Sequence, residues 1–290
     1  FLPSTAINQV EMFQPGTYDP ETIKRELGWA KKLGFNTLRV YLHDILWKQE
    51  IREGFLENFD DFLDICESLD IRCIIVFFDD CHWDHDIKLG EQQSRMTGIH
   101  NSGWFKSPGR DLLKAYHEKT ISEEDNRRLK NYVQDILKRY NGDKRIVMWD
   151  IYNEPKFLHT RSLLEDAWVW AREVNPSQPL TGCVYGSNRM YYTTQGDNSD
   201  IISYHCYNSD NQQERIDFLR KKYSGRPIVC QPGRQASAED APPGWQACTA
   251  PQTASWLHSL PTLSSLASST TWTLTSMAIQ RLFEPHRCQS

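Results

Sequence analysis

A carboxylic acid and an amide follow one of the most apolar segments of the chain. The segment reads IVMWDIY over residues 146–152, and Asn153, Glu154 and Pro155 come directly after it. A buried strand ends at such a proline, because proline has no amide hydrogen for the sheet. Glu154 can exchange a proton with a bound group, and Asn153 can hydrogen-bond a neighbouring hydroxyl. The spacing therefore predicts acid–base chemistry at the end of a strand.

Polar side chains also end the other apolar segments, namely His43 and Asp44, Asp79 and Asp80, and His205 and Tyr207. Up to about residue 231 these segments alternate with amphipathic helical ones, which predicts an α/β fold with a parallel sheet. A doubly wound sheet fits the alternation too, but no Gly-rich phosphate loop follows any strand. A (β/α)8 TIM barrel builds its site from the carboxyl ends of several strands, so we predict that fold.

Local signals place individual helices. Asp19 followed by Pro20 predicts a helix start with a capping carboxylate and a proline in the first turn. Gly34 can end that helix in a left-handed conformation. Ser122 with Asp125 resembles a capping box at the start of another helix.

Composition limits the classes of function. The chain has 290 residues, of which 39% are hydrophobic and 24% charged, enough for one large domain or two small ones. A net charge of −5 argues against nucleic acid or an anionic membrane as the main partner. No segment approaches the roughly 18 apolar residues of a membrane span. We expect a soluble bacterial protein, cytoplasmic or exported, whose signal peptide, if any, has been removed or was never captured in this sequence. The oligomeric state stays open.

Metal ligation is the alternative that the loop CHWDHD raises, since it holds His82, Asp84, His85 and Asp86. Neither histidine has the helical spacing of a metal-binding pair, so we predict no metal. The eight cysteines are also scattered without zinc-ligand spacing. We interpret most of them as reduced and buried, which weakly favours a reducing compartment.

The segment WDIYNEP resembles the end of the fourth strand in clan A of the retaining glycoside hydrolases, most of all the cellulase-type enzymes of family five. The opening residues 1–47 are similar to a bacterial group described as cellulase-like or xylanase-like. The resemblance continues through VFFDDC, HNSGW, AREVNPSQPLT and DIISYHCY, so it covers about residues 1–230.

The resemblance implies a role for several residues. Glu154 would be the acid/base, Asn153 would bind the sugar 2-hydroxyl, and Arg39 would orient a carboxylate nucleophile. His205 and Tyr207 would lie beside the cleaved bond. We expect sugar contacts from His43, Asp79 and Asp80, while Trp104 is a stacking platform or a core residue. The implied substrate is a β-linked poly- or oligosaccharide, cleaved with retention and without a cofactor.

The chain departs from the family pattern at both ends of the predicted barrel. The seventh strand should end in a glutamate followed by an aromatic residue, but RPIVC runs into Gln231 and Pro232. In the family the first strand normally precedes the segment that matches PSTAIN, and almost none of that strand is present in this sequence. We therefore predict a barrel over 1–230, incomplete at its first and last strands, and an atypical Ser/Thr/Pro-rich tail over 231–290. One hypothesis is that this tail is divergent or frame-shifted.

Without a nucleophile, the activity of this chain is expected to be impaired. Three alternatives remain open at this point. The chain is a non-catalytic carbohydrate-binding barrel, or a metal-dependent hydrolase using the CHWDHD loop, or a fragment that does not fold stably.

Overall fold

A computed structural model describes residues 1–82, 87–94, 96, 103–156, 158–184, 191–206, 212–233 and 271–273. Its helices are Pro20–Lys32 (α1), Arg52–Ser68 (α2), Arg110–His117 (α3), Glu123–Arg139 (α4), Thr160–Val174 (α5) and Gln212–Lys222 (α6). Its strands are Thr37–Tyr41 (β1), Arg72–Asp79 (β2), Ile146–Asn153 (β3), Leu180–Thr181 (β4), Ile202–Cys206 (β5), Ile228–Gly233 (β6) and Thr271–Thr273 (β7). Within these residues, no helix has the length and apolar character needed to cross a bilayer.

All paired strands run parallel and in chain order. Strands β1 to β4 form one sheet in that order, and β5 to β7 form a second. A parallel bridge between Val184 and Tyr204 connects the two sheets, with the Val184 amide donating to the Ser203 carbonyl at 2.8 Å. Sequential parallel strands with intervening helices are the arrangement of a (β/α)8 barrel, and the predicted fold class is confirmed.

The predicted helix caps form as expected. The Asp19 side chain accepts from the Thr22 amide at 3.0 Å, and Pro20 is the first residue of α1. Gly34 has a φ of 89°, the left-handed value that glycine adopts without steric cost. At the start of α4 the Asp125 amide donates to Ser122 Oγ at 3.0 Å. These residues define the start and the end of α1 and the start of α4.

Strand β4 covers only the first two residues of the apolar segment LTGCVYG, residues 180–186. A Cβ on Gly182 would lie 2.2 Å from Oε1 of Gln195, so this side chain packs directly against the backbone there. Gln195 also donates from Nε2 to the carbonyl oxygen of Tyr152 at 2.7 Å. Regular pairing therefore stops at Thr181 and resumes only at the Val184 bridge.

Apolar side chains from β2, β3 and the helices behind them form the main core. Phe77 stacks on Trp149 with ring centres 5.5 Å apart, and Tyr132 of α4 meets Phe77 edge-on at 5.4 Å. Both faces of these strands are buried, as expected when helices cover a parallel sheet. Cys66 and Cys73 are free and lie in this core. Cys183 and Cys230 are free and buried elsewhere, Cys206 is half-buried and Cys81 is exposed.

Candidate active site

The carboxyl ends of the parallel strands bring the predicted polar residues to one rim. Asp79 at the end of β2 pairs in register with Asn153 at the end of β3. His205 near the end of β5 pairs in register with Gln231 of β6. Because every strand points the same way, these four side chains lie at the same end of the sheets.

Glu154 follows β3 with a φ of 41°, a left-handed value that a non-glycine residue rarely adopts. The residue in this conformation is only 2% exposed. Its Oε1 lies 2.7 Å from Nδ1 of His205, and its Oε2 lies 3.4 Å from Nζ of Lys156. Both carboxyl oxygens are thus held by nitrogen groups from different segments.

Arg39 is buried on β1, and its anionic partner is Asp150 of β3. The guanidinium donates from Nε and Nη2 to Oδ2 of Asp150 at 3.1 and 2.6 Å. Nη2 also donates to Oδ1 of Asn153 at 2.9 Å, and Nη1 donates to the Tyr41 hydroxyl. Burial alone would lower the pKa of Arg39, but Tyr41 and Asp150 outweigh it and raise the pKa. Arg39 therefore stays charged and orients Asn153.

Asn153 connects Arg39 to a second buried carboxylate. Its Nδ2 donates to Oδ1 of Asp79 at 2.5 Å, and Oδ2 of Asp79 lies 2.5 Å from Nδ1 of His82. Burial alone would raise the pKa of Asp79, but His82 and the hydrogen bond from Asn153 lower it. Both amide atoms of Asn153 are thereby held in a fixed orientation.

Asp80 is held by groups from the segment after β3. Its Oδ1 accepts from the Tyr152 hydroxyl at 3.2 Å. Its Oδ2 accepts from the Lys156 amide at 3.1 Å and from the Thr160 hydroxyl. Burial raises the pKa of Asp80. These contacts fix the turn that carries Glu154, while the predicted sugar contact of Asp80 stays a prediction.

His43 and Trp104, two of the predicted sugar-contacting residues, are almost fully buried. The Nδ1 of His43 accepts from the Ile45 amide at 3.1 Å, and its Nε2 lies 2.9 Å from the Lys106 carbonyl. Burial lowers the pKa of His43. Trp104 meets Tyr41 edge-on at 5.4 Å, and its ring centre is 4.9 Å from that of His82. Sugar binding by His43 and stacking by Trp104 stay predictions.

Gln231 lies in β6, at the position where the sequence analysis expects a second carboxylate. Its side chain is fully buried, and neither amide atom has a hydrogen-bond partner among the residues that the structure describes. An unpartnered buried amide costs about 1–3 kcal/mol. Gln231 is therefore an unfavourable residue for packing, in a register position next to His205.

Sequence reasoning missed three residues of this site: Asp150, Tyr41 and Lys156. The sequence did contain a signal for Asp150, because it is the one charged residue inside the apolar segment IVMWDIY. Arg39 lies on another buried strand and needs an anionic partner, which Asp150 could supply. Tyr207 lies outside the described residues, as do Asp84, His85 and Asp86 of the CHWDHD loop. In the part of the chain that is described, no three His, Cys, Asp or Glu residues cluster as metal ligands would.

The comparison with protein families matches residues 4–229 to the cellulase model of glycosyl hydrolase family 5. The chain belongs to glycosyl hydrolase family 5. This agrees with the segment WDIYNEP and with the barrel described above. The family consists of glycosidases, enzymes that act on carbohydrates, and the match ends just before Gln231. No curated protein sequence matches the chain.

Solved family 5 structures share the fold. The mannosidase of Rhizomucor miehei gives a TM-score of 0.55 at 15% identity, over 80% of this chain and 69% of that chain. The exo-β-1,4-mannosidase Op5Man5 from Opitutaceae bacterium strain TAV5 gives 0.54 at 17% identity, over 80% of this chain and 44% of that one. Identities this low establish the barrel alone.

Proposed function

We propose that this family 5 barrel binds β-linked oligo- or polysaccharides at the rim formed by β2, β3, β5 and β6, with Glu154 as acid/base. The observation that carries the proposal is the buried Glu154 carboxyl group, held 2.7 Å from His205 and facing the same rim as Gln231. A carboxylic acid in this position donates its proton to the departing glycosidic oxygen.

Asn153 is the group proposed to bind the sugar hydroxyl beside the cleaved bond. Its Oδ1 accepts from Arg39, and one Nδ2 hydrogen is donated to Asp79. A side-chain amide carries two N–H groups, so a second hydrogen remains for a hydroxyl oxygen. A hydrogen bond to the 2-hydroxyl strengthens as positive charge develops on the sugar ring, which favours the transition state over the bound substrate.

Gln231 is proposed to limit turnover. A retaining glycosidase needs a second carboxylate that attacks the anomeric carbon, and a neutral amide cannot form that glycosyl ester. Loss of a nucleophile costs several orders of magnitude in rate. Arg39 retains Asp150 as its partner, so the barrel loses the nucleophile without leaving a buried guanidinium unpaired.

A sugar-binding barrel without turnover is the second candidate. The buried amide of Gln231 favours it, because this group can still donate to and accept from a sugar hydroxyl. The two candidates use the same rim and differ only in whether a bond is cleaved. Binding and turnover must therefore be measured separately.

Rescue by a small nucleophile separates the candidates. Gln231→Ala opens space on the nucleophile side, and azide supplied in solution can attack the anomeric carbon of a dinitrophenyl β-glycoside. The proposal expects an α-glycosyl azide product, since a single displacement inverts the configuration. Suitable probes are the β-glucoside, β-mannoside, β-xyloside and β-cellobioside, because the mannosidase neighbours share only the fold.

The matched control is Gln231→Ala carrying Glu154→Gln, tested with an aryl group that needs protonation to depart. Rescue that depends on Glu154 supports the acid/base assignment. Oligosaccharide binding by the unaltered chain without any rescue supports the second candidate. Neither binding nor rescue with any probe would overturn both.

A further inference from the structure

Two histidines meet on the outside of the barrel, between helices that flank the site. His117 lies in the last turn of α3, and His159 directly precedes α5. Their ring centres are 5.2 Å apart, with an angle of 79° between the ring planes. Both side chains are partly exposed, so solvent and dissolved ions can reach them.

One of the two rings has a hydrogen-bonding neighbour that can select its tautomer. Nδ1 of His117 lies 2.9 Å from Oγ of Ser162, one turn into α5. When Nδ1–H donates to this hydroxyl, Nε2 of the neutral ring carries the lone pair. Histidines that bind metals commonly have their second nitrogen fixed in this way.

His159 is not engaged in capping its helix. Its side chain makes no hydrogen bond to the first turn of α5, although it occupies the N-cap position. Histidine is a poor cap compared with Ser, Thr, Asp or Asn, so helix stability does not explain the residue. Its imidazole faces the ring of His117 instead.

The separation of the rings fits two ligands of one metal ion. Zinc–nitrogen bonds are about 2.0–2.1 Å, and the ring centre lies roughly 1 Å beyond the nitrogen. Two imidazoles on a tetrahedral ion therefore have centres about 5 Å apart. We propose that His117 and His159 form a surface site for a divalent transition metal of the zinc or nickel type, which joins α3 to α5.

Water completes the coordination of such an ion. Among the described residues, no third His, Cys, Asp or Glu joins the pair as a ligand. Neither histidine belongs to the CHWDHD segment, since one lies in α3 and the other directly before α5. His159 lies five residues after Glu154, in the segment between β3 and α5. A bound metal would therefore link that segment to α3 and restrict its movement.

Metal titration of the full chain, freed of any affinity tag and of bound ions by EDTA, tests the proposal. One equivalent of Ni²⁺ or Zn²⁺ should bind in calorimetry. At a free concentration 100-fold above Kd, the melting temperature should rise by roughly 5 °C, and EDTA should reverse the rise. His117→Asn and His159→Asn should each abolish the rise. Ser162→Ala should weaken binding about 10- to 100-fold, because it frees the ring orientation of His117.

Lys114→Gln, on the exposed side of α3, is the matched control and should bind metal like the unaltered chain. The variant that carries both His117→Asn and His159→Asn should not bind metal at this site. If it binds metal as tightly as the unaltered chain, or if its melting temperature still rises with metal, the proposal is overturned. If an Asn variant fails to fold, histidine Hε1 resonances of the unaltered chain provide the readout. Zn²⁺ should then shift two of these signals first, and uniform shifts of many histidines would contradict the site.

Discussion

Oε1 of Glu154 lies 2.7 Å from Nδ1 of His205, although the two residues are 51 positions apart in the chain. One belongs to the turn after β3 and the other to β5, so the contact depends on the barrel curving across the intervening strand. His205 is also the register partner of Gln231. His205 thus contacts the proposed acid/base and is the register partner of the residue proposed to replace the second carboxylate.

The Arg39–Asp150 pair should contribute strongly to the stability of the fold. Removing one partner leaves the other charge buried, which costs about 3–5 kcal/mol. We expect Arg39→Met to lower the free energy of unfolding by this amount in urea titrations. The double variant with Asp150→Leu should lose less than the two single variants combined. If the loss in the double variant equals the sum of the losses in the two single variants, the pair is not energetically coupled.

Asp44 should make stability depend on pH. Burial alone would raise its pKa, but His43 and the Arg128 guanidinium, whose Nη1 is 2.7 Å from Oδ2, lower it. A carboxyl group whose pKa is lowered in the folded state stabilises the fold above its unfolded pKa of about 3.9, and this contribution is lost as pH falls through the folded value.

We therefore expect Asp44→Asn to be less stable than the unaltered chain at pH 7 by about 3–5 kcal/mol. The gap should narrow as the pH falls from 4 toward 2. Chemical unfolding at several pH values measures both curves. Asp64→Asn is the exposed control, and a gap that stays constant down to pH 2 would contradict the role of Asp44.

Gln231 should be replaceable by an apolar residue with a gain in stability. Its amide is buried and unpartnered among the described residues, and methionine has a similar length without polar groups. We expect Gln231→Met to raise the free energy of unfolding by about 1 kcal/mol. The same variant should bind oligosaccharides more weakly if the amide contacts sugar. Lower stability of Gln231→Met would show that the amide is satisfied within the fold.

Much of the fold is predictable from local patterns. Asp19, Pro20 and Gly34 define α1 through capping and backbone conformation, and these depend only on neighbours in the chain. The alternation of apolar strands and amphipathic helices predicts that successive strands pair in parallel and in chain order. Strand β4 is the exception, because the contact of Gln195 with Gly182 joins residues that no periodicity relates.

The site is less predictable than the fold. Glu154 and Asn153 follow from the residue types at a strand end, and His205 from its position on another strand. The partnership of Arg39 with Asp150 depends on the register of β1, β2 and β3, which the sequence does not display. Lys156 was missed because a lysine after a turn normally points to solvent, and only the folded turn brings it to Glu154.

The central claim is that Glu154 faces a nucleophile position now occupied by Gln231. Gln231→Glu places a carboxylate there, and the activity of this variant on dinitrophenyl and nitrophenyl β-glycosides tests the claim most directly. We expect a gain of at least about 100-fold in kcat/KM over the unaltered chain, since nucleophile loss costs several orders of magnitude. Adding Glu154→Gln should remove the gain for the poorer leaving group. A correctly folded Gln231→Glu protein that binds sugar yet shows no gain on any glycoside would contradict the account.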